Sequence, residues 1–235
     1  MDNKERTRLL EAIKNRHSVR RYKSEPIPED ILALLRAKID ELNAAGNLHI
    51  QLVVNEPRGF NGPLAYGQFS GVENYFIVAG KKDDTFDERA GYYGEQLVLY
   101  AQTLGLNTCW AGLSYKKIPG TYDLDDGEKI SCYISLGYGV TQGVAHKIKT
   151  PEQVSNVGDS TPAWFLDGVK AALLAPTAIN QQKFSFEYVA PSSPGDKARV
   201  VARKGFSLVG YTRVDLGIAK CHFEIGADPS NFDWA

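Results

Sequence analysis

Apolar residues along the chain fall into alternating helical and strand periods. Residues 5–15 carry Leu9, Leu10 and Ile13 on one side of a short helix. Residues 28–45 then place Ile31, Leu34, Leu35, Ile39 and Leu42 at helical spacing. Pro28 at the start, Glu29 and Asp30 in the first turn and Gly46 as the predicted stop complete that helix. Residues 49–54 alternate as a strand, and 75–79 form a short continuous apolar strand. The clearest helix covers 91–104, with Tyr93, Leu97, Tyr100, Ala101 and Leu104 on one face and Gly105 after it. Strands are predicted at 108–111 and 129–136. Beyond them come a helix at 163–175, a turn at 176–182 and a strand in which Phe184, Phe186 and Tyr188 alternate. A further strand at 199–204 and a helix at 214–225 follow. Residues 57–72, rich in Gly, Pro and Asn, read as a long surface loop, a kind of segment that is often functional. Residues 137–162 have no strong period and read as a connector. This order fits neither an all-α bundle nor a β-sandwich, and the class is α+β. A helix–turn–strand outline recurs at 28–54 and 163–189.

The remaining composition narrows the function. At 235 residues the chain can bury a sizeable core, and 43% hydrophobic with 23% charged residues is ordinary globular usage. The 27 Lys and Arg against 28 Asp and Glu give a net charge of −1, without the basic footprint of a nucleic-acid binder. No apolar run reaches the ~18 residues of a membrane span. The start, Met1 to Arg6, carries both charge signs and reads as no signal peptide. Cys109, Cys132 and Cys221 form no disulfide framework, so a reducing, cytoplasmic setting is expected.

Several common chemistries are not encoded. Gly137 to Gly143 tempts a dinucleotide-fingerprint reading, but its third glycine comes one residue late and no amphipathic helix follows. It reads as a strand-end turn. There is no phosphate loop with a terminal Gly-Lys-Ser/Thr and no Gly-x-Ser-x-Gly elbow. The four histidines (His17, His49, His146, His222) and three cysteines show no ligand spacing, so no metal is expected. Cys221 and His222 are neighbours on a helix and their side chains diverge. A buried Cys beside a partly exposed His is the expectation there, not a dyad.

Three segments carry candidate chemistry. Arg16-His17-Ser18-Val19-Arg20-Arg21 lies between the first two helices. In an extended segment alternate residues share a side, so Arg16, Ser18 and Arg20 would face one ligand, a clamp suited to a phosphate dianion. The plain alternative is a solvated basic loop. Ala175-Pro176-Thr177-Ala178-Ile179-Asn180-Gln181-Gln182-Lys183-Phe184 presents short polar groups before an aromatic strand, as a polar heterocycle would require. Ordinary helix-to-strand turn chemistry reads the same way. In Gly105 to Leu113, small residues after a strand allow a ligand close to the backbone; a buried Trp and a turn glycine is the bland reading.

Together these segments resemble the flavin-dependent nitroreductase family. The likeness is carried by Leu10 to Arg20, Gly105 to Leu113, Ile134-Ser135-Leu136-Gly137-Tyr138-Gly139 and the Ala175 to Phe184 turn. In ordinary members the Ala-Pro-Ser-x-x-Asn-x-Gln-Pro-Trp turn follows soon after the second helix, whereas here residues 43–48 hold no such turn. Lys183 stands where the family has Pro, and Phe184 where it has Trp. The family works as a homodimer in which the Arg segment of one subunit and the turn of the other meet at one flavin. This sequence resembles the variant in which one chain holds two half-related lobes arranged as that dimer. Residues 1–150 would be an N-terminal lobe with the clamp, and 151–235 a C-terminal lobe with the turn, together one compact nitroreductase-like unit.

The resemblance implies bound flavin mononucleotide (FMN) and NAD(P)H-dependent reduction of nitroaromatic or quinone-type acceptors by ping-pong hydride transfer. The cofactor carries the hard step, so no catalytic side chain is named. Arg16, His17, Ser18 and Arg20 would hold the phosphate and ribityl chain, with Lys147 or Lys149 completing the phosphate site. Pro176, Thr177, Ala178 and Asn180 would line the ring from the second lobe, and Ala111, Gly112 and Leu113 would offer backbone groups to its polar end. One flavin per chain follows, because the second lobe has no Arg clamp. The partners would be the small-molecule substrate and NAD(P)H, with no nucleic acid, no membrane and no second copy, the chain being its own pseudo-dimer and a monomer. A flavin carrier or sensor that kept the pocket without turnover is the competing reading. A clamp for another phosphorylated ligand is a third.

Overall fold

The computed structural model describes all residues except 66 and 194. Its first helix, α1 (Asn3–Asn15), starts at Asp2, whose Oδ1 accepts the Glu5 N–H at 2.8 Å. The second, α2 (Glu29–Gly46), stops one residue later than predicted. Asn47, at φ 46°, takes the left-handed position after it. Gly46 is small for another reason: a Cβ there would lie 2.6 Å from the ring of Tyr93.

Four antiparallel strands follow, in the order β1 (Gln51–Val53), β2 (Asn74–Lys81), β4 (Glu128–Gly137), β3 (Asn107–Ala111). β2 is buried on both faces, which explains its unbroken apolar run. Helix α3 (Phe86–Thr103) begins ahead of the predicted residue 91, because Phe86 and Ala90 already belong to its buried face. Helices α2 and α3 pack Leu35, Leu42, Leu97 and Val98 against Phe76, Val78 and Ile134 of the sheet.

The rest of the chain builds a smaller unit. Helix α4 (Ala163–Leu173), strands β5 (Phe184–Val189) and β6 (Ala198–Lys204), helix α5 (Thr212–Ala227) and strand β7 (Phe232–Trp234) share a core of Phe165, Phe186, Phe223 and Phe232. β5 and β6 are antiparallel, and β7 joins β6 in parallel. At three residues β7 is too short for a period reading. α4 ends at Leu173 rather than 175, and a short 3-10 turn covers Pro151–Gln153 in the connector.

Residues 57–72 are less of a surface loop than expected. Pro57–Phe60 form a 3-10 turn, and Gly59, Phe60 and Ala65 are buried. The Phe60 ring packs on Tyr75 with centroids 5.5 Å apart and on Phe69 at 4.9 Å.

The two units meet where α3 crosses α5. A Cβ on Gly91 would lie 2.0 Å from Val214 O, and one on Gly217 would lie 2.0 Å from Glu88 O. Each glycine therefore faces the carbonyl three residues before the other. Helix α1 covers this crossing, packing Ala12 and Ile13 with Leu99, Cys221 and Ile225.

Candidate functional site

After α1 the chain runs extended beside β3. Ser18 bridges Thr108 in parallel, and Val19 N–H donates to Thr108 O at 3.0 Å. Val19 and Tyr22 are buried, with the Tyr22 hydroxyl donating to Val19 O at 2.7 Å. With Val19 turned into the core between them, Ser18 and Arg20 face a cavity of about 270 Å³ between the two units. Ala111, Gly112 and Leu113 line it from the end of β3, and Pro176, Thr177 and Ala178 line it from across the interface. Eight of the predicted residues thus surround one space.

Arg16, His17, Lys147 and Asn180 are not among the cavity's lining residues. Arg16 is buried, its Nε 3.7 Å from Glu95 Oε1 and without a hydrogen-bond partner. The Cβ of His17 lies beside Gly143, and burial together with the Arg16 charge holds its imidazole below the usual range. Asn180 Nδ2 and Gln182 Nε2 both donate to Lys147 O, at 2.8 and 2.9 Å. Gln182 Oε1 accepts Lys149 N–H at 2.9 Å, and Lys149 Nζ donates to Gln182 O at 2.6 Å. Asn180 and Lys147 therefore fasten the connector to the turn.

Asp215, near the start of α5, anchors that turn from the other side. Its Oδ1 accepts Ala178 N–H at 2.9 Å, and its Oδ2 accepts Gln181 Nε2 at 2.6 Å. Burial in the cavity wall pushes the Asp215 carboxyl up to about 6 against these two bonds. Cys109 and Cys132 also line the cavity, but burial raises both thiols, Cys132 to about 12. Neither is an activated nucleophile.

Arg20 lines the cavity, and Lys147 and Lys149 lie beside the turn at Asn180 and Gln182. Among the described residues Arg20, Lys147, Lys149 and Lys183 form no ion pair within 4.0 Å. Burial and the nearby Lys183 hold Lys149 below the usual lysine range. Such a cluster suits an anion.

The sequence reading missed several walls of the cavity. Gln68 and Phe69 bring the 57–72 segment onto it. Tyr211, left-handed at φ 60°, donates its hydroxyl to Gly112 O at 2.8 Å and so ties the start of α5 to the end of β3. Trp110 lines the cavity too, and its Nε1 donates to Glu95 Oε2 at 2.8 Å. Nothing local in the sequence marks these contacts, since each joins distant segments. His222, expected partly exposed, is fully buried, with Nε2 2.8 Å from Glu95 Oε1 and Nδ1 3.1 Å from Ala171 O. It belongs to an interior network, which is why Cys221 and His222 make no dyad.

Elsewhere, ligand atoms of His49, Asp125 and Glu128 lie within 4.8 Å of one another. The His49–Glu128 pair at 2.7 Å and the Asp125 N–H bond to Glu128 Oε2 at 2.9 Å account for that grouping. Among the described residues no helix is long and apolar enough to cross a membrane.

Fold and site together define an α+β protein with a cavity built from both halves of its chain and lined by Arg20 and Asp215. The family model described as "Putative TM nitroreductase" matches residues 8–227, and the chain belongs to that family, among the oxidoreductases. A putative nitroreductase of Thermotoga maritima has the same fold. It is 23% identical, with 93% of this chain and 82% of that chain covered at a TM-score of 0.60. A nitroreductase-like protein of Streptococcus mutans is 12% identical over 64% of this chain and 98% of that one, with a TM-score of 0.50. A putative nitroreductase of Desulfovibrio desulfuricans, crystallised with FMN, is 17% identical over 66% and 98%, with a TM-score of 0.48. No curated protein matches the chain.

Proposed function

We propose that the protein is an FMN-binding oxidoreductase that takes electrons from NAD(P)H and passes them to nitroaromatic or quinone-type acceptors. The observation that carries this reading is the meeting of Ser18 and Arg20 with Pro176, Thr177 and Ala178 around one cavity. The residues fit a phosphorylated ring cofactor. Arg20, Lys147, Lys149 and Lys183 supply positive charge without acidic partners among the described residues, and the buried Arg16 Nε lacks a hydrogen bond. Arg20 and Ser18 would hold the anionic chain, with Arg16 and Lys147 adding charge behind it. Backbone groups of Ala111 to Leu113 and the Thr177–Ala178 edge would frame the ring. FMN, when bound, supplies reversible two-electron chemistry. The protein's part is to bind, orient and exclude water. Phe69 covers one wall, and Tyr211 fixes the β3 end by its bond to Gly112 O.

The same reading takes residues 1–150 and 151–235 as two lobes arranged like a dimer within one chain. In support, the order α–β–β–α–β occurs twice, as α2–β1–β2–α3–β3 and α4–β5–β6–α5–β7. The reciprocal glycine contacts of α3 and α5 have the form of a two-fold crossing. A monomer is expected, and three free, buried thiols suit a reducing cytoplasm. The test is the visible spectrum of the purified protein followed by steady-state NAD(P)H oxidation with a quinone. A flavin spectrum with turnover supports the proposal. A flavin spectrum without turnover leaves a carrier or sensor, and a colourless protein that takes up no FMN overturns it.

A further inference from the structure

The turn from Thr177 to Gln182 holds three non-glycine residues in left-handed backbone: Ile179 at φ 47°, Asn180 at 57° and Gln182 at 45°. Two of them have a local reason. Asn tolerates this conformation, and the Asn180 side chain is bonded to Lys147 O. Gln182 is fastened through its N–H to Thr177 Oγ1 at 3.1 Å and through both ends of its amide. Ile179 has none. It is β-branched, the side-chain type least suited to positive φ. Its side chain is 78% exposed, so the core gains nothing from it.

Ile179 nevertheless lines the cavity, as do Leu113, 70% exposed, and Val209, 47% exposed. Gln181 Nε2 donates to Gly210 O at 3.0 Å, which holds the Val209 loop beside the Ile179 turn. That loop also carries the exposed Phe206 and Leu208. Three exposed lining residues are therefore apolar, beside a polar pair in which Ser114 Oγ donates to Gln68 Oε1 at 3.1 Å. A bare or charged ring would leave this surface in water; an apolar substituent on the ring would cover it.

We infer that Ile179, with Leu113 and Val209, selects acceptors bearing an apolar substituent, and that the substrate class is an alkyl-substituted quinone whose chain lies on this rim. The inference rests on the oxidoreductase reading for the use of the site, but not for its binding test. That test is equilibrium titration of naphthoquinone and its pentyl derivative into the protein as purified, without an electron donor. Wild type is compared with Ile179→Asn and Ile179→Gly, and thermal melting of all three is recorded. The pentyl compound is expected to bind wild type about tenfold more tightly, from partial burial of a few methylenes. In both variants the ratio falls to about twofold or less, because the main apolar wall is gone. Their melting temperatures equal or exceed that of wild type, since Asn and Gly accept positive φ more readily.

Equal wild-type affinities for the two quinones, or a ratio that both variants leave unmoved, overturn the assignment. So does a lower melting temperature in both variants, which would make Ile179 a packing residue. A ratio that behaves as expected in a protein that oxidises no NAD(P)H sinks the oxidoreductase reading and leaves the rim standing.

Discussion

Replacing Glu95 by alanine removes the centre of the network that joins the two units. Glu95 is fully buried on α3, with Trp110 Nε1 at 2.8 Å from Oε2, and His222 Nε2 at 2.8 Å and Arg16 Nε at 3.7 Å from Oε1. His222 Nδ1 lies 3.1 Å from Ala171 O, so the ring bridges a carbonyl of α4 and the Glu95 carboxylate. Without Glu95, Arg16 stays buried and unpaired, and two N–H groups lose their acceptor. Breaking a buried pair costs about 3–5 kcal/mol, and an orphaned buried donor about 1–3. These losses share one site and do not add fully, so Glu95→Ala should cost about 5 kcal/mol. For a chain of this size that lowers the melting temperature by about 10–20 °C. Glu95→Gln should cost less, about 3 kcal/mol, because Arg16 loses its counter-charge while the amide still meets the Trp110 and His222 nitrogens. Urea unfolding followed by tryptophan fluorescence and by far-UV circular dichroism measures both variants. A loss below about 1 kcal/mol for alanine, or equal losses for alanine and glutamine, would refute the network's role. Because Arg16, α3 and β3 meet α4 and α5 here, the two probes should also give one coincident transition in wild type. Separate transitions would show that the network does not join the units.

Three further outcomes follow from the same geometry. Arg20→Ala should weaken FMN binding about 10–100-fold, the worth of one charge-assisted partner, in a fluorescence titration; unchanged affinity would make Arg20 a solvated charge. Gly91→Ala and Gly217→Ala should each destabilise the fold by about 3 kcal/mol or more, and by similar amounts, because each new Cβ meets a carbonyl oxygen at 2.0 Å. Tolerance of either in urea unfolding would mean the helices part more readily than their packing implies. Asp215 gives a pH dependence. Its folded carboxyl, raised from 3.8 to about 6, binds more protons than the unfolded one, so the contribution of Asp215 to stability is fullest at low pH and is lost as pH rises from about 4 through 6. The loss is at most about 3 kcal/mol, and Asp215→Asn should abolish it; parallel pH profiles of wild type and variant would contradict the assignment.

The helices and most strands were legible because each obeys one period over enough residues. Helix α3 shows it, with Leu97 and Ala101 repeating on one face, and so does β5 with Phe184 and Phe186 alternating. β7 escaped because two apolar residues around an aspartate make no pattern; β6 beside it makes Phe232–Trp234 a strand. At the site, Ser18 and Arg20 were legible because alternation in an extended segment is a local rule. Arg16 obeys the same spacing, yet its side chain lies buried against Glu95, 79 positions further along the sequence. Asp215, Tyr211 and Phe69 were illegible for the converse reason. Each reaches the cavity only through long-range folding, and no spacing near it differs from that of an ordinary helix start or loop.

The asymmetry between the two halves bears on how many cofactors the chain can hold. The crossing of α3 and α5 treats Gly91 and Gly217 alike, and under the proposed two-lobe reading a second cleft, related to the first, would be expected. The sequence would furnish only one of them. The segment before α2 contains Arg16, Arg20 and Arg21, whereas residues 151–162 before α4 contain neither Arg nor Lys. The sheets differ in the same direction. In the first, β4 lies between β2 and β3, and β3 leads into Ala111 to Leu113 at the cavity; in the second, β7 pairs with β6 directly. A phosphate dianion set down in the second cleft would find no cation supplied by the segment before α4, and an uncompensated buried charge is costly. The expected stoichiometry is therefore about one FMN per chain, because a single Arg clamp meets a single turn. Flavin absorbance against protein mass decides it. Two flavins per chain would show that backbone groups alone bind the phosphate, and the Arg20 prediction would fall with the one-site reading.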